Sequence, residues 1–346
     1  MIDIVRASLL SPFVLAFALG AIAKVARSEL SLPSELKASL SVYLLLALGL
    51  RGGVELAETS LSAVGLPAAA TVALGVITPV TSFVVLRRLG GMSLSDSAGI
   101  AAHYGSVSAV SFLAAGQLAT RMGSPPEGFM PALLALLEAP GIHVALGLGA
   151  LGAAAARAPA GVALQSGGSL AVLAGDDPEA EHAGGNALAA LRSVLTSRTM
   201  VLLVGGLGIG YVVGAEGYAS VKPFFETGFK GALVLFLLEM GLIAGARLRD
   251  LRKVGPFLVA FGIVMPILHG ALGAVLGHFA GLSVGGATVL ATMAASASYI
   301  AAPPAVAAAL PDANPAYSIT AALAITFPFN LVAGIPLYYA IASALG

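Results

Sequence analysis

Two Ser-x-Ser doublets lie near the middle of long apolar segments, one in each half of the chain. Where a membrane-spanning helix breaks, free backbone N–H groups and the positive end of the second half-helix can hold an anion without a cationic side chain. Serine hydroxyls add hydrogen-bond donors and can cap the new helix. The predicted anion site comprises Gly105, Ser106, Val107 and Ser108 in the first half, and Ser296, Ala297, Ser298 and Tyr299 in the second.

Neighbouring residues limit the kind of anion that such a site would take. Gly105 can adopt backbone angles that other residues resist, and Pro303 and Pro304 lack the amide donors that continue a helix. No Lys or Arg stands near either doublet, whereas a dianion would be expected to demand one. The pattern favours a small monovalent oxyanion. The alternative is that these small residues only let neighbouring helices pack closely.

The two halves of the chain match at near-constant offsets. The matched pairs, 192, 190 and 188 positions apart, are Gly49 with Gly241, Ser106 with Ser296, and Pro140 with Pro328. Such offsets indicate an internal duplication, in which both doublets occupy equivalent places and form the two sides of one site.

Composition places this duplicated chain in a lipid bilayer. Hydrophobic residues make up 58% of the 346 positions and charged residues 10%. From Val254 to the C-terminus the sole charged side chain is Asp312, so a soluble domain could not cover its surface. The net charge of zero argues against nucleic acid as a partner. The absence of cysteine excludes disulfides and thiolate metal sites.

Ten apolar stretches fit membrane-spanning helices, which need about 20 residues each. They cover residues 9–25, 38–56, 64–85, 95–120, 129–155, 199–213, 229–248, 255–279, 284–310 and 315–344. Five spans per half would insert the second copy upside down, as in the inverted repeats of secondary transporters. The predicted fold is an all-α polytopic membrane protein with helices broken at the membrane midplane. Its parts are a first repeat at 1–156, a solvent-exposed linker at 157–198 and a second, inverted repeat at 199–346.

The 17 Lys and Arg residues divide unequally between alternating loops. Because positive residues mark the cytoplasmic side, we expect a multi-pass protein of the inner (plasma) membrane with its linker inside and both termini outside. The side predicted to be cytoplasmic holds Lys24, Arg27, Lys37, Arg87, Arg88, Arg157, Arg192, Arg198, Arg247, Arg249, Arg252 and Lys253. The opposite side holds Arg6, Arg51, Arg121, Lys222 and Lys230.

Glu138 lies deep within its span, and burial of an ionisable group at such depth is costly enough to suggest function. Thr326 occupies the matched position in the second half, close to Asn330. Carboxylate, hydroxyl and amide oxygens are hard ligands of the kind that metal cations prefer, so these three residues form the predicted Na⁺ site. The alternative is a protonated Glu138 in a helix contact. His103 is expected either to line the pocket or to be satisfied by a neighbouring carbonyl.

Several sequence runs resemble the sodium-dependent bicarbonate transporters of the cyanobacterial SbtA type. They are SVYLLLALGLRGG at 41–53, GSVSAV at 105–110, AASASYIA at 294–301, NP at 314–315 and TFPFN at 326–330. The resemblance implies Na⁺/bicarbonate symport, a gate domain, a moving core domain and a homotrimer. It also implies regulation by a small PII-like protein at the cytoplasmic face. Arg51 stands where the family usually has Lys, a departure that preserves the charge.

Three other functions stay open at this point. A channel would need a continuous polar lining, and the spans offer polarity only at the doublets. An intramembrane hydrolase would need a base paired with a serine, or a zinc motif, and neither is evident. The sequence therefore predicts a transporter with no enzymatic activity and no cofactor other than its coupling ion. A symporter or exchanger for another small monovalent anion is the main competitor to bicarbonate symport.

Overall fold

The computed structural model describes residues 6, 9–157, 192 and 195–346, and within them it is helical with no strand. The predicted linker at 157–198 lies almost entirely outside the described residues. In the first half the helices are α1 (Pro12–Val25), α2 (Ser34–Glu58), α3 (Leu61–Arg88), α4 (Leu94–Gly105), α5 (Ala109–Arg121) and α6 (Met130–Arg157). In the second half they are α7 (Arg198–Ala219), α8 (Gly228–Arg247), α9 (Leu251–Phe279), α10 (Val284–Ala294), α11 (Ala302–Ala309) and α12 (Pro315–Leu345).

Eight helical segments of the described chain are long and apolar enough to cross a membrane, counting α4 and α5 together as one. The protein is therefore a polytopic helical membrane protein. The predicted first span corresponds to α1, which has only 14 residues. The predicted ninth span is divided into α10 and α11, of 11 and 8 residues. The total of ten spans stays a prediction.

Glycines bring α1, α2, α7 and α8 into backbone contact. A Cβ atom at Gly53 of α2 would stand 2.1 Å from the Leu207 carbonyl oxygen of α7, and one at Gly241 of α8 would stand 2.0 Å from the Phe17 carbonyl oxygen of α1. Any side chain at these positions would force the helices apart. We call α1, α2, α7 and α8 the glycine-packed group.

The remaining helices form a second group around the two helix breaks. In this group α6 packs against α3 and α4, while α9 packs against α10 and α12. Two long helices, α3 and α9, carry internal prolines at Pro79 and Pro266, which remove backbone hydrogen bonds from a continuous helix. The closest approach joins α6 to the end of α4, where a Cβ at Gly141 would overlap the Gly105 carbonyl group. We call α3–α6 and α9–α12 the break-containing group.

Substitution of Gly210 tests the backbone contact within the glycine-packed group. A Cβ at Gly210 would lie 2.0 Å from the Leu50 carbonyl oxygen, whereas Gly208 on the same helix has nothing within 4 Å. We expect Gly210→Ala to cost about 1–3 kcal/mol through overpacking and to lower the melting temperature of the purified protein. The matched Gly208→Ala variant should melt no lower than the wild type. Equal melting of both variants would contradict this packing.

Candidate functional site

The first helix break lies between α4 and α5. Ser106 has extended backbone angles (φ −104°, ψ 171°), which end α4 at Gly105. Ser108 is the N-cap of α5, and its Oγ accepts a hydrogen bond of 3.3 Å from the Ser111 amide. The break follows from the local sequence, because glycine permits the contact with Gly141 and serine caps the helix that follows.

The second helix break lies between α10 and α11. Ser298 Oγ accepts hydrogen bonds from the amides of Ala301 and Ala302, at 3.2 and 3.4 Å. Ser296 Oγ donates to the Met293 carbonyl at 2.9 Å and so closes the end of α10. Ser296 therefore forms a hydrogen bond at the end of the helix before the break, and Ser298 forms hydrogen bonds at the start of the helix after it.

The structure brings the two doublets together and joins them by hydrogen bonds. The Ser108 amide donates to Ser296 Oγ at 2.9 Å, and the Ser298 amide donates to the His103 carbonyl at 2.7 Å. Ser108 Oγ lies 3.5 Å from the Tyr299 hydroxyl. All four doublet serines are buried. Each break therefore supplies partners for backbone groups that the other break leaves without helical partners.

A small cavity of about 30 Å³ adjoins the joined breaks. From the doublets it is lined by Val107, Ser108, Ser298 and Tyr299. The first turn of α5 adds Ala109 and Val110, whose amides precede the first possible bond within that helix. The remaining wall contains Ser41, four leucines of α2 and α5, Glu138 of α6, Thr199 of α7, Phe236 of α8 and Ile300. The cavity thus combines helix N-termini and hydroxyls with an apolar wall, and none of its lining residues is Lys, Arg or His.

The other four predicted anion-site residues do not line this cavity. Gly105 packs against α6, and Ser296 forms the bridge between the breaks. Ala297 belongs to an apolar cluster that includes Tyr104. Ser106 is 1% exposed, and its Oγ has no hydrogen-bond partner among the described residues. Anion binding by the doublets stays a prediction, with half of its residues at the cavity.

Glu138 is a wall residue of this cavity. Its side chain is buried, and Oε2 has no hydrogen-bond partner in the described part of the chain. The two other residues of the predicted Na⁺ site have different neighbours. Thr326 donates to the Gly262 carbonyl at 2.7 Å and accepts from the Tyr104 hydroxyl at 2.6 Å.

Asn330 is fixed in a chain of buried hydrogen bonds. Its Nδ2 donates to the Ala295 carbonyl at 2.9 Å, and the Tyr338 hydroxyl lies 2.9 Å from its Oδ1. Neither Thr326 nor Asn330 lines the small cavity. Over the described ranges, no three His, Asp or Glu side chains are grouped to hold a metal ion. The Na⁺ site of Glu138, Thr326 and Asn330 stays a prediction.

His103 lines a different cavity, of about 210 Å³, together with α11 residues such as Pro303 and Val306. Its Nδ1 lies 2.8 Å from the Gly99 carbonyl within α4. The neighbouring carbonyl therefore satisfies one ring nitrogen, while Nε2 has no hydrogen-bond partner among the described residues. The backbone carbonyl of His103 holds the Ser298 amide.

A larger cavity, of about 540 Å³, meets the small one at Leu48 and Leu113, which line both. It also contains Arg51, Lys230 and Glu226. These two leucines are the boundary between the buried site and a cavity with charged walls.

The sequence did not predict the part of the small cavity's wall that the glycine-packed group supplies. Ser41, Thr199 and Phe236 belong to α2, α7 and α8, far from the doublets in the chain. Ser41 is the first residue of one of the sequence runs that resemble the family, and that run was the signal that could have identified it. Thr199 and Phe236 stand in apolar stretches with no distinguishing pattern.

Two discontinuous helices that meet beside a small buried cavity are typical of secondary transporters. The sequence profile of the Na⁺-dependent bicarbonate transporter superfamily matches residues 12–343. The chain therefore belongs to the Na⁺-dependent bicarbonate transporter superfamily, as the sequence runs predict. No individual curated protein matches it. Membership supports transport rather than catalysis as the role of this chain.

Two serines that accept hydrogen bonds from amides at helix starts provide a matched test of the site. Ser298 accepts from the Ala301 and Ala302 amides beside the cavity. Ser283 is the N-cap of α10 away from the cavity and accepts from the Gly286 amide at 3.1 Å. Ser298→Ala and Ser283→Ala should each cost about 1 kcal/mol of stability. Only Ser298→Ala should raise the apparent KM of bicarbonate uptake in proteoliposomes. An unchanged KM in Ser298→Ala would remove this hydroxyl from the site.

Proposed function

We propose that this protein imports bicarbonate together with Na⁺ by alternating access, as a secondary active transporter. The observation that carries the proposal is the pair of hydrogen-bonded breaks beside a cavity without Lys, Arg or His. Membership of the superfamily supports both bicarbonate and Na⁺ as substrates. The larger cavity is the access route on the side of Arg51.

The cavity chemistry favours a small monovalent oxyanion. The residues lining it that carry hydroxyl groups are Ser41, Ser108, Thr199, Ser298 and Tyr299, and the first turn of α5 adds Ala109 and Val110 with their amides. These groups hold an oxyanion through dipoles and supply no full positive charge to neutralise a dianion. A volume of about 30 Å³, which is room for about two water molecules, also favours a small anion.

A coupled cation supplies the charge that the cavity lacks. A bare anion in a low-dielectric pocket is poorly compensated by helix ends alone. We therefore propose that Na⁺ binds before or with the anion, with Glu138, Thr326 and Asn330 as candidate ligands.

The energetics of coupling limit the stoichiometry. One Na⁺ with one monoanion carries no net charge, so a tenfold Na⁺ gradient supplies about 1.4 kcal/mol and supports about tenfold accumulation. A second Na⁺ adds its own gradient and about 2.3 kcal/mol per 100 mV of membrane potential. Steep accumulation would therefore require electrogenic transport.

An inverted repeat of five spans per half is part of the proposal. Matched glycine contacts support it, since α2 meets α7 in the same manner as α8 meets α1. Two carboxylate contacts between the halves also match. Asp96 at the start of α4 accepts from the Asn314 amide before α12, at 2.8 Å. Glu127 before α6 accepts from the Ser283 amide at the start of α10, at 2.6 Å.

The two packing groups correspond to a gate domain and a moving core domain. We propose that the glycine-packed group is the fixed gate and that the break-containing group carries the anion in an elevator-like movement. The cavity wall supports this division, because α2, α7 and α8 face the breaks across it. Since the breaks are hydrogen-bonded to each other, they would move as one unit.

The family resemblance supplies the proposed assembly, which is a homotrimer with a PII-like regulatory partner at the cytoplasmic face. The unequal distribution of Lys and Arg supplies the proposed topology, with both termini outside the plasma membrane. The outer face of α7 supports a contact with lipid or further copies, because Val212 is 83% exposed and Gly205 and Gly208 have open space beside them.

A carrier for another small monovalent anion remains the second candidate, because dipoles and hydroxyls recognise oxyanions as a class. An anion channel is less compatible with the structure. Leucines of α2 and α5 separate the small cavity from the larger one, so no continuous polar lining joins them.

Replacement of Na⁺ tests the coupling. We expect bicarbonate uptake into proteoliposomes to be lost when Na⁺ is replaced by K⁺ or choline at fixed pH, because the anion then lacks its countercharge. Equal uptake in all three salts would rule out sodium coupling. A panel of competing small anions in the same assay separates bicarbonate from the second candidate.

Cross-linking tests the movement of one group against the other, and the native chain has no cysteine. Phe17 of α1 and Phe327 of α12 have ring centroids 5.4 Å apart across the two groups. A short bifunctional thiol reagent should arrest nearly all uptake in the Phe17→Cys/Phe327→Cys variant. The control pair is Tyr43→Cys/Phe225→Cys, whose rings lie 5.6 Å apart between α2 and the segment Pro223–Thr227 that leads into α8 of the same group. Full activity of the cross-linked test pair would count against an elevator.

A further inference from the structure

Two cations in the wall of the larger cavity have no partner in the described part of the chain. Arg51 of α2 and Lys230 of α8 line this cavity, and neither makes a hydrogen bond or an ion pair with the described residues. Both residues are exposed, so their charges remain available to a solute.

The carboxylates of the same wall have partners. Glu127 Oε1 accepts from the Ser283 amide at 2.6 Å, at the start of α10, where the helix dipole favours a negative charge. Glu226 Oε2 lies 3.9 Å from Lys222 Nζ. The part of the wall's charge that has no partner is therefore positive.

Arg51 stands next to the boundary between the two cavities. Leu44, Leu45 and Leu48 of α2 line the small cavity, and Leu48 lines the larger one as well. Arg51 follows Leu48 by three residues, so both lie on one face of α2, about 4.5 Å apart along the helix axis. One face of α2 therefore runs from a cation, past a leucine, to the small cavity beside the breaks.

The two cavities offer an anion different kinds of interaction. The small cavity provides dipoles and hydroxyls and has no Lys, Arg or His in its wall. To enter it, an anion must give up hydration, which is costly in apolar surroundings. Cations in a cleft with low-dielectric walls raise the local concentration of anions, and the guanidinium group of Arg51 stays charged over the working pH range. The full positive charges thus lie where an anion can still keep its water.

We propose that Arg51 and Lys230 form a capture site for small oxyanions in the larger cavity, distinct from the binding site at the breaks. The capture site concentrates the anion beside Leu48 and Leu113, from where it enters the small cavity. This inference rests on the proposed transport of a small oxyanion through that cavity. It assigns the two cations a role in the apparent affinity of transport and none in the movement of the break-containing group.

The capture site belongs to one side of the breaks. With the offset of 192 that matches Gly49 with Gly241, Arg51 corresponds to Ile243 in the second half, which has no charge. The doublets occur in both halves, whereas this cation occurs in one. The capture site therefore acts on anions that enter through the larger cavity.

Ionic strength tests the capture site, because the screening length for exposed charges falls from about 30 Å at about 0.01 M salt to about 3 Å at about 1 M. Initial rates of bicarbonate uptake into proteoliposomes are measured at fixed pH and Na⁺ concentration, with ionic strength raised by choline gluconate. For the wild type we expect kcat/KM for bicarbonate to fall as ionic strength rises, while kcat stays constant. A kcat/KM that is independent of ionic strength would overturn the proposal.

Charge substitutions should give effects of opposite sign at low ionic strength. Arg51→Gln and Lys230→Gln should each lower kcat/KM by about threefold, as for a unit charge acting at about 10 Å in partly aqueous surroundings. Arg51→Lys keeps the charge and should stay close to the wild type. Glu226→Gln removes a negative charge from the same wall and should raise kcat/KM. A gain of this kind cannot come from misfolding.

Arg121→Gln is the matched control. Arg121 stands at the end of α5 and lines a separate cavity of about 20 Å³ with Ser11. Its removal should leave kcat/KM and the dependence on ionic strength close to those of the wild type. An equal loss in Arg121→Gln would assign the effect to the overall surface charge and overturn the capture site. A Glu226→Gln variant whose kcat/KM does not exceed that of the wild type would contradict it too.

The Na⁺ dependence provides a second readout. Arg51→Gln removes a charge that repels cations, so the Na⁺ concentration for half-maximal uptake at saturating bicarbonate should not rise. A rise in this concentration together with the KM for bicarbonate would show damage to the binding site and overturn the capture role. Failure of the wild type to transport bicarbonate at any ionic strength would instead refute the proposed function, so the two failures are distinguishable.

Discussion

Every backbone amide and carbonyl inside a membrane must find a partner within the protein, because hydrocarbon offers none. A broken helix violates this rule at both of its new ends. Here the two breaks satisfy each other, through the Ser108 amide with Ser296 Oγ and the Ser298 amide with the His103 carbonyl. Neither break could persist in this position without the other. Two breaks can therefore pair where one would be left with unsatisfied groups.

The parts of the fold that depend on local chemistry could be predicted from the sequence. Glycine and serine are residue types that indicate helix ends, and the structure has its breaks at Gly105, Ser108 and Ser298. The long spans could also be predicted, because the length of an apolar run is a local property of the sequence. The start of the first span was harder to predict, because Ser11 is the N-cap of α1, which begins at Pro12 and has 14 residues. The second break is longer than the Ser-x-Ser motif suggests, since α11 begins only at Ala302.

Tertiary relations limited the prediction of the site. Residues at matched positions of the two halves need not be neighbours in the folded chain. The doublets meet, whereas Glu138 faces the cavity and Thr326 binds Tyr104 and Gly262. Equivalence in sequence therefore did not imply a shared ligand set. The contribution of Thr199 and Phe236 to the cavity wall could not be predicted either. The rotation of each helix in the glycine-packed group determines which of its apolar residues face the breaks.

The two breaks differ in how completely their polar atoms are satisfied. At the second break, Asn330 donates to the Ala295 carbonyl and Ser298 Oγ accepts two amides. At the first break, Ser106 Oγ and the nearby Glu138 Oε2 have no partner among the described residues. Unpaired buried polar atoms are costly unless a ligand, an ion or water completes them. The second break is therefore the more completely hydrogen-bonded of the two, and unpaired buried polar atoms of the described residues lie at the first break, on Ser106, and on α6, on Glu138.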